Sequence, residues 1–394
     1  MIKTIAIENY RSIINLTIPL GRLNLVTGEN GSGKSNLYKA LRLLAKVGDG
    51  GLVRSLAEDG GLESVFWAGP EKITKRMRSG EVPVQGGPRQ TKRQLKLGFA
   101  AEDYGYSVAL GLPKFGVAMP VHTPPTQFKL DPGIMRETIW HGEYYRPASA
   151  LIDRQGSAIK RRVGRSWEVV SQHASSFDSM FDLAADAQQT PEVFFMRDRI
   201  RKWRFYDHFR TDQAAPARQH HLGTFTPVLN HDGRDVAAAI QTIIEIGDAE
   251  ALHDAIDYAF PGARVEVVRT DEGRFMLQFY QHGLLRPLNA SELSDGTLRY
   301  VLWVAALLTP RPPELMVLNE PETSLHPDLL PALARLISFA ADHCQVWVVS
   351  HASRLIAALE QSELCHSIRL EKDFGETQIP SMGMLDLPPW HWPS

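Results

Sequence analysis

The segment from Leu23 to Lys46 limits what this chain can fold into more than any other. It reads Leu23-Asn24-Leu25-Val26-Thr27, then Gly28-Glu29-Asn30-Gly31-Ser32-Gly33-Lys34-Ser35, then Asn36-Leu37-Tyr38-Lys39-Ala40-Leu41-Arg42-Leu43-Leu44-Ala45-Lys46. The apolar, β-prone run before the glycines predicts a strand, and the apolar spacing after them predicts an amphipathic helix. The middle follows G-x-x-x-x-G-K-S, a phosphate-binding loop, in the strand–loop–helix context that gives the pattern its meaning. Gly28, Gly31 and Gly33 permit the tight turns that aim backbone N–H groups at phosphate oxygens. The helix starting near Gly33 adds its positive end to the same anion. Lys34 is spaced to reach the β- and γ-phosphates of ATP, and the Ser35 hydroxyl to ligate Mg²⁺. Every residue from Gly28 to Asn36 is therefore a candidate nucleotide contact.

The remaining composition is permissive. The 394 residues are 43% hydrophobic and 22% charged, enough for a large core in one or two domains. A formal net charge of −2 excludes a global attraction to nucleic acid or membrane, so any such binding must be local. The two cysteines, Cys344 and Cys365, have no metal or disulfide spacing, which fits a reducing, cytoplasmic setting. Met1-Ile2-Lys3 leads directly into strand-like sequence, so no secretory signal is expected. The longest apolar run, Tyr300 to Leu308, is too short to span a bilayer.

Read in order, Ile2–Ile7 and Ile13–Ile18 predict a hairpin around Asn9-Tyr10-Arg11-Ser12. Residues 48–96 are rich in glycine and charge, with a basic segment at 72–96 that suits either a solvated loop or nucleic-acid contact. Leu95–Ala100, Tyr106–Leu112, Gln127–Leu130 and Arg136–Trp140 predict an antiparallel sheet, followed by a basic hairpin at 154–165. From about Ser171 to Phe260 the period becomes helical, and Pro191–Phe209 reads as one basic, aromatic helix that includes the segment 197–210. Asp235–Ile246 and Glu250–Phe260 are further helices, and Val265–Val268 with Phe275–Tyr280 form another hairpin.

The last third carries a second set of motifs. Leu293-Ser294-Asp295-Gly296-Thr297 precedes an apolar helix that Pro310, Pro312 and Pro313 stop. The apolar strand Leu315–Leu318 ends in Asn319-Glu320-Pro321-Glu322, and Thr323-Ser324-Leu325-His326-Pro327 leads into a helix over 327–341. A second apolar strand, Val346–Val349, ends in Ser350-His351. Apolar strands alternating with helices imply a parallel sheet covered on both faces, whose carboxyl ends bind ligands. Glu320 and His351 are thus expected to converge on the phosphate loop.

This order of motifs resembles the RecF/SMC-like branch of ABC-type ATPases, specifically the bacterial predicted-ATPase group with L-S-D-G-T and N-E-P-E-T-S-L-H-P. The resemblance is strong at 1–46 and 288–372 and weak between. It implies an α/β fold, an ABC-type P-loop NTPase head with a parallel core and an antiparallel β lobe. The parts expected are 1–170 for the N-terminal part of the head, 171–262 for an inserted helical subdomain and 263–394 for the C-terminal part. It also implies a homodimer that closes around ATP, with Ser294 and Gly296 on the γ-phosphate held by the partner, and Ser324 and Leu325 in the loop crossing that interface. Glu320 becomes the general base, His351 the γ-phosphate sensor, and Arg11 a residue near the phosphates.

Two positions depart from the family pattern. The acid that commonly precedes the catalytic glutamate is Asn319, which offers the Mg²⁺ side an amide oxygen without negative charge. The glutamine that relatives extend toward Mg²⁺ has Gln127 as its candidate. No sustained heptads join the two halves, so the long arm of SMC proteins is not expected. Asn319 predicts weaker Mg²⁺ affinity or slower turnover than an aspartate would give. Mg²⁺-dependent ATP hydrolysis then drives a switch acting on DNA, in repair or in defence against foreign DNA, through 72–96, 154–165 and 197–210; the alternative is a slow or inactive ATPase serving as a nucleotide-gated scaffold that recruits a protein effector. A transporter subunit is disfavoured by the motif set and the absence of a membrane-coupling segment.

Overall fold

Strand-prone runs dominate both ends of the chain, and the way they pair separates two compact units. In the computed structural model, residues 1–71, 73–84, 93–112, 131–383 and 387–393 are described. The first unit comprises Met1–Leu20, Gly28–Lys202 and Arg369–Ser394; the second comprises Gly21–Thr27 and Trp203–Ile368. Residues 171–202 go with the first unit and 203–262 with the second. Lys72, Arg89, Lys92 and Gln127 lie outside the described residues.

Among the described residues, the first unit is organised on an eight-stranded antiparallel sheet. Its order is Ile13–Pro19, Ile2–Tyr10, Leu95–Ala101, Tyr104–Gly111, Gly133–His141, Ala150–Gln155, Ala158–Val163 and Ser166–Ser171. The opening hairpin pairs Ile5 with Ile18 and Ile7 with Leu16, so the apolar pattern sets its register. Asn9 and Arg11 turn it in the left-handed region, with φ of 61° and 50°. A hairpin of Cys365–Asp373 with Glu376–Gln378 places Thr377 in this unit.

The basic residues here are mostly committed internally. Arg154 and Glu137 are fully buried and ion-paired at 2.8 Å. Glu137 also accepts from the Tyr106 hydroxyl at 2.8 Å and the Met180 amide at 2.8 Å. Arg154 donates to the carbonyls of Gly156, Asp178 and Ser175. As a member of the 154–165 segment it was expected to face DNA; its guanidinium instead holds the sheet to the chain beneath it. Arg78, Arg161 and Arg199 likewise pair with Asp373, Glu168 and Asp103.

The second unit holds the parallel sheet. Arg204–Tyr206, Leu315–Asn319, Gln345–Val349 and Leu23–Gly28 lie side by side in that order, all parallel. Their apolar residues are buried on both faces, and on one of them Leu23, Leu25, Met316, Leu318, Val346 and Val348 share a core with the helices Asp295–Leu307 and Leu330–His343. Cys344 belongs to this core as expected, and burial pushes its thiol up to about 12. The single helix expected over Pro191–Phe209 ends at Arg201, because Arg204–Tyr206 pairs instead with Met316–Leu318. Tyr206 is fully buried there and donates its hydroxyl to the Leu229 carbonyl at 2.9 Å. A smaller antiparallel sheet pairs Arg264–Arg269 with Arg274–Tyr280. No helix among the described residues is long and apolar enough to cross a membrane.

Candidate active site

The phosphate loop forms the tight turns its glycines allow. Gly28 has φ of 145°, and a Cβ there would lie 2.3 Å from the Leu370 carbonyl oxygen and 2.6 Å from Ser32 Oγ. Gly33 has φ of 109°, and a Cβ there would sit 2.0 Å from Thr377 Oγ1. Both positions thus exclude a side chain by backbone conformation and by space. The helix Lys34–Lys46 follows directly. Lys34 is buried and donates to the carbonyls of Gly28 at 2.6 Å and Glu29 at 3.0 Å, which turns its ammonium into the loop. Glu29, Asn30, Gly31 and Ser35 are exposed, and Asn36 is half-buried.

A chain of side-chain hydrogen bonds fixes this loop from behind. Asn36 Nδ2 donates to Ser12 Oγ at 2.8 Å, Ser12 Oγ lies 2.7 Å from Thr377 Oγ1, and Thr377 donates to the Ser32 carbonyl at 3.0 Å. Each hydroxyl has one proton, so the chain runs in one direction, with Ser12 donating to Thr377. The Thr377 amide also donates to the Ser12 carbonyl at 2.8 Å. Arg11, implied to lie near the phosphates, pairs with Asp59 at 3.2 Å. Its neighbour Ser12 is the hairpin residue linked to the loop.

Thr377→Val removes two links while keeping the shape. At about 1 kcal/mol for each hydrogen bond, nucleotide affinity is expected to fall roughly ten-fold with the chain still folded. Thr377→Ser should retain most of it. Titration with a fluorescent ATP analogue measures both, and unchanged affinity in Thr377→Val would remove the positioning role.

The second unit gathers the other candidates. Asn319, Val349 and Val26 are register partners across three strands, so Asn319-Glu320 and Ser350-His351 leave the sheet at one level. Glu320 has φ of 50°, an uncommon conformation for a non-glycine residue and one often found at functional sites. The Glu320 amide donates to the Val349 carbonyl at 2.8 Å. Its carboxylate lies 3.8 Å from His351 Nδ1, and both side chains are about half exposed. The unpredicted participant is Glu322. Its buried carboxylate accepts from Ser350 Oγ at 2.7 Å and from the amides of His351 at 3.0 Å and Ala352 at 3.2 Å. It thereby fixes the turn that presents His351.

The turn Leu293-Ser294-Asp295-Gly296-Thr297, the signature turn, is held by two arginines that carried no local signal in the sequence. Ser294 caps the helix Asp295–Leu307, accepting from the Thr297 amide at 3.1 Å. Arg218 donates to the carbonyls of Ala290 at 2.8 Å and Leu293 at 2.7 Å and pairs with Asp295 at 2.8 Å. Arg299, inside the helix, donates to the Thr323 carbonyl at 2.6 Å and the Phe209 carbonyl at 2.9 Å. Burial pulls its pKa down. Gly296 lies beside the next loop, where a Cβ would meet the Ser324 carbonyl oxygen at 3.7 Å. Ser324 itself has φ of 61°.

The donor set suits a magnesium–nucleotide. Ser32 Oγ is buried in the phosphate loop without a protein hydrogen-bond partner, an orphan that a phosphate oxygen would satisfy. Among the described residues no group of three or more histidines, cysteines or acids could hold a metal by itself.

The family described as "AAA domain, putative AbiEii toxin, Type IV TA system" matches this chain over residues 23–357. No curated protein matches it in sequence. Among solved structures, an SMC head bound to the C-winged helix domain of ScpA aligns over 98% of both chains, at 12% identity and a TM-score of 0.50. The SMC head domain from Thermotoga maritima aligns over 97% of this chain and 99% of its own, at 15% identity and a TM-score of 0.43. An Smc head with an extended coiled coil, bound to the C-terminal domain of ScpA derived from Pyrococcus furiosus, aligns over 98% and 96%, at 11% identity and 0.48. At such identities the first of these likenesses speaks to fold alone.

Proposed function

The chain belongs to that AAA-domain family and is a nucleotide-binding ATPase with an ABC-type, SMC-like head fold, and from this premise we propose that it hydrolyses ATP with Mg²⁺ as a homodimer and acts as a switch on DNA. The observation that carries the reading is the presence, in one chain of this family, of a complete phosphate loop and of a strand-end glutamate held in a left-handed conformation. Lys34 and the loop amides bind the β- and γ-phosphates. Ser35 and the Asn319 amide oxygen would hold Mg²⁺, which when bound neutralises phosphate charge and polarises the terminal phosphoryl group. Glu320 orients the attacking water and takes its proton, and His351, steadied by Glu322, contacts the γ-phosphate. Ser294 and Gly296 contact the γ-phosphate held by the second copy, where the helix N-terminus favours negative charge.

Steady-state ATPase assays with Mg²⁺, with and without DNA, test the reading, together with the molecular mass in ATP. Stimulation by DNA and ATP-dependent dimerisation are expected; a monomer in ATP with no hydrolysis rejects it. A second reading is favoured by the internal pairing of Arg78, Arg161 and Arg199. It makes the chain a slow ATPase whose ATP-bound dimer recruits a protein effector, and hydrolysis indifferent to DNA would select it.

Asn319→Asp should lower the Mg²⁺ concentration for half-maximal activity, or raise turnover, by about five-fold, as one added charge contributes near the metal in a water-like medium. A Mg²⁺ titration of the ATPase rate measures this. Identical curves would show that Asn319 does not face the metal side.

A further inference from the structure

The outer end of the antiparallel sheet contains a cavity that neither the phosphate loop nor the signature turn uses. Its volume is about 380 Å³, within the range of small-molecule sites. It lies over the strands from Gly133–His141 to Ser166–Ser171, with Tyr145 and Trp167 as aromatic walls and Arg136, Asp153, Gln155 and Lys160 as polar lining. Trp167 is 40% exposed, a large aromatic ring kept at the surface.

The charges in this cavity do not cancel. Asp153 accepts from Arg136 Nε at 3.0 Å and Nη2 at 3.1 Å, and from Thr138 Oγ1 at 2.9 Å. That two-pronged pair neutralises both members. Lys160, directly across from Asp153 in the strand register, is exposed and forms no ion pair with any described residue. One positive charge therefore remains beside two aromatic rings and the Gln155 amide, which can both donate and accept. Arg162 fixes the rim by donating to the carbonyls of Pro147 at 2.9 Å and Ala148 at 3.0 Å, and its guanidinium lies 5.9 Å from the centre of the Trp167 ring.

We propose that this cavity receives one unpaired nucleotide unit, with its base against Trp167 and Tyr145 and its phosphate on Lys160. A planar ring with an attached anion meets all three features: stacking surface, amide edge and unpaired cation. A paired base brings its complementary strand and does not fit a cavity of this size. The ligand chemistry is the same in a free mononucleotide and in single-stranded nucleic acid. The single-strand form rests on the nucleic-acid reading above.

The test uses the full chain, its Trp167→Ala and Lys160→Gln variants, and fluorescence anisotropy with labelled oligothymidylate. Thymidine monophosphate, a duplex and an acidic peptide serve as further ligands. Affinity for the single strand should fall about ten-fold or more in Trp167→Ala and measurably in Lys160→Gln, with duplex binding and ATPase activity unchanged. Trp167-dependent binding of the monophosphate without the oligonucleotide would keep the site and assign it to free nucleotide. Duplex binding with no Trp167-dependent ligand would overturn the site while leaving the DNA reading intact. The site is also overturned if no nucleotide or strand binds, or if the acidic peptide binds equally well.

Discussion

Glu320→Gln is expected to reduce ATP hydrolysis roughly 100- to 10,000-fold, the contribution of a positioned general base, while leaving ATP binding close to that of the unmodified chain. The side chain keeps its size and its hydrogen-bonding carbonyl but loses its affinity for the water's proton. Glu320 spends no buried ion pair on the fold, since its carboxylate is 41% exposed, so the loss should appear in kcat rather than in stability. A second consequence separates this role from a merely structural one: if hydrolysis opens the dimer, the variant should accumulate as an ATP-bound dimer on size exclusion. Single-turnover hydrolysis and the mass in ATP measure the two effects. Activity within a few-fold of the unmodified chain would move the base elsewhere. Glu322 is the poorer alternative, because its carboxylate is buried and already accepts three hydrogen bonds.

The parallel core was legible because its strands are short, wholly apolar and end in polar residues; Leu315–Leu318 and Val346–Val349 can be little else. The phosphate loop was legible because its glycines and flanks agree. What escaped notice depends on contacts far apart in sequence. Thr377 meets Ser32 from 345 residues away, in a short hairpin whose own sequence gives no reason for the contact. Arg218 and Arg299 read as ordinary cations, because their partners are backbone carbonyls and a carbonyl leaves no mark in the sequence. The segment Pro191–Phe209 misled for another reason. Its aromatics occur at spacings that suit a helix, but the last of them serve the edge of the parallel sheet, and pairing with Met316–Leu318 outweighs local propensity.

Arg154 shows the same limit and yields the largest stability effect. A basic run reads as surface because fully buried arginines are rare, whereas here Arg154 and Glu137 are both completely enclosed. Glu137→Ala leaves the guanidinium without its counter-charge and deprives Tyr106 and Met180 of their acceptor. The expected cost is about 3–5 kcal/mol. It is read as a fall in the denaturant midpoint of the transition in which the first unit unfolds. Arg154→Met should cost a comparable amount, because the carboxylate then stays buried and unpaired. The double variant should cost clearly less than the two single costs added together, since neither charge is then stranded. It will not be neutral, because the Gly156, Asp178 and Ser175 carbonyls still lose a donor. A DNA-contacting role makes the opposite prediction: Arg154→Met would weaken DNA binding and leave the midpoint nearly unchanged. Measuring both quantities on one preparation, well below the unfolding transition for the binding arm, decides whether this arginine serves the fold or the partner.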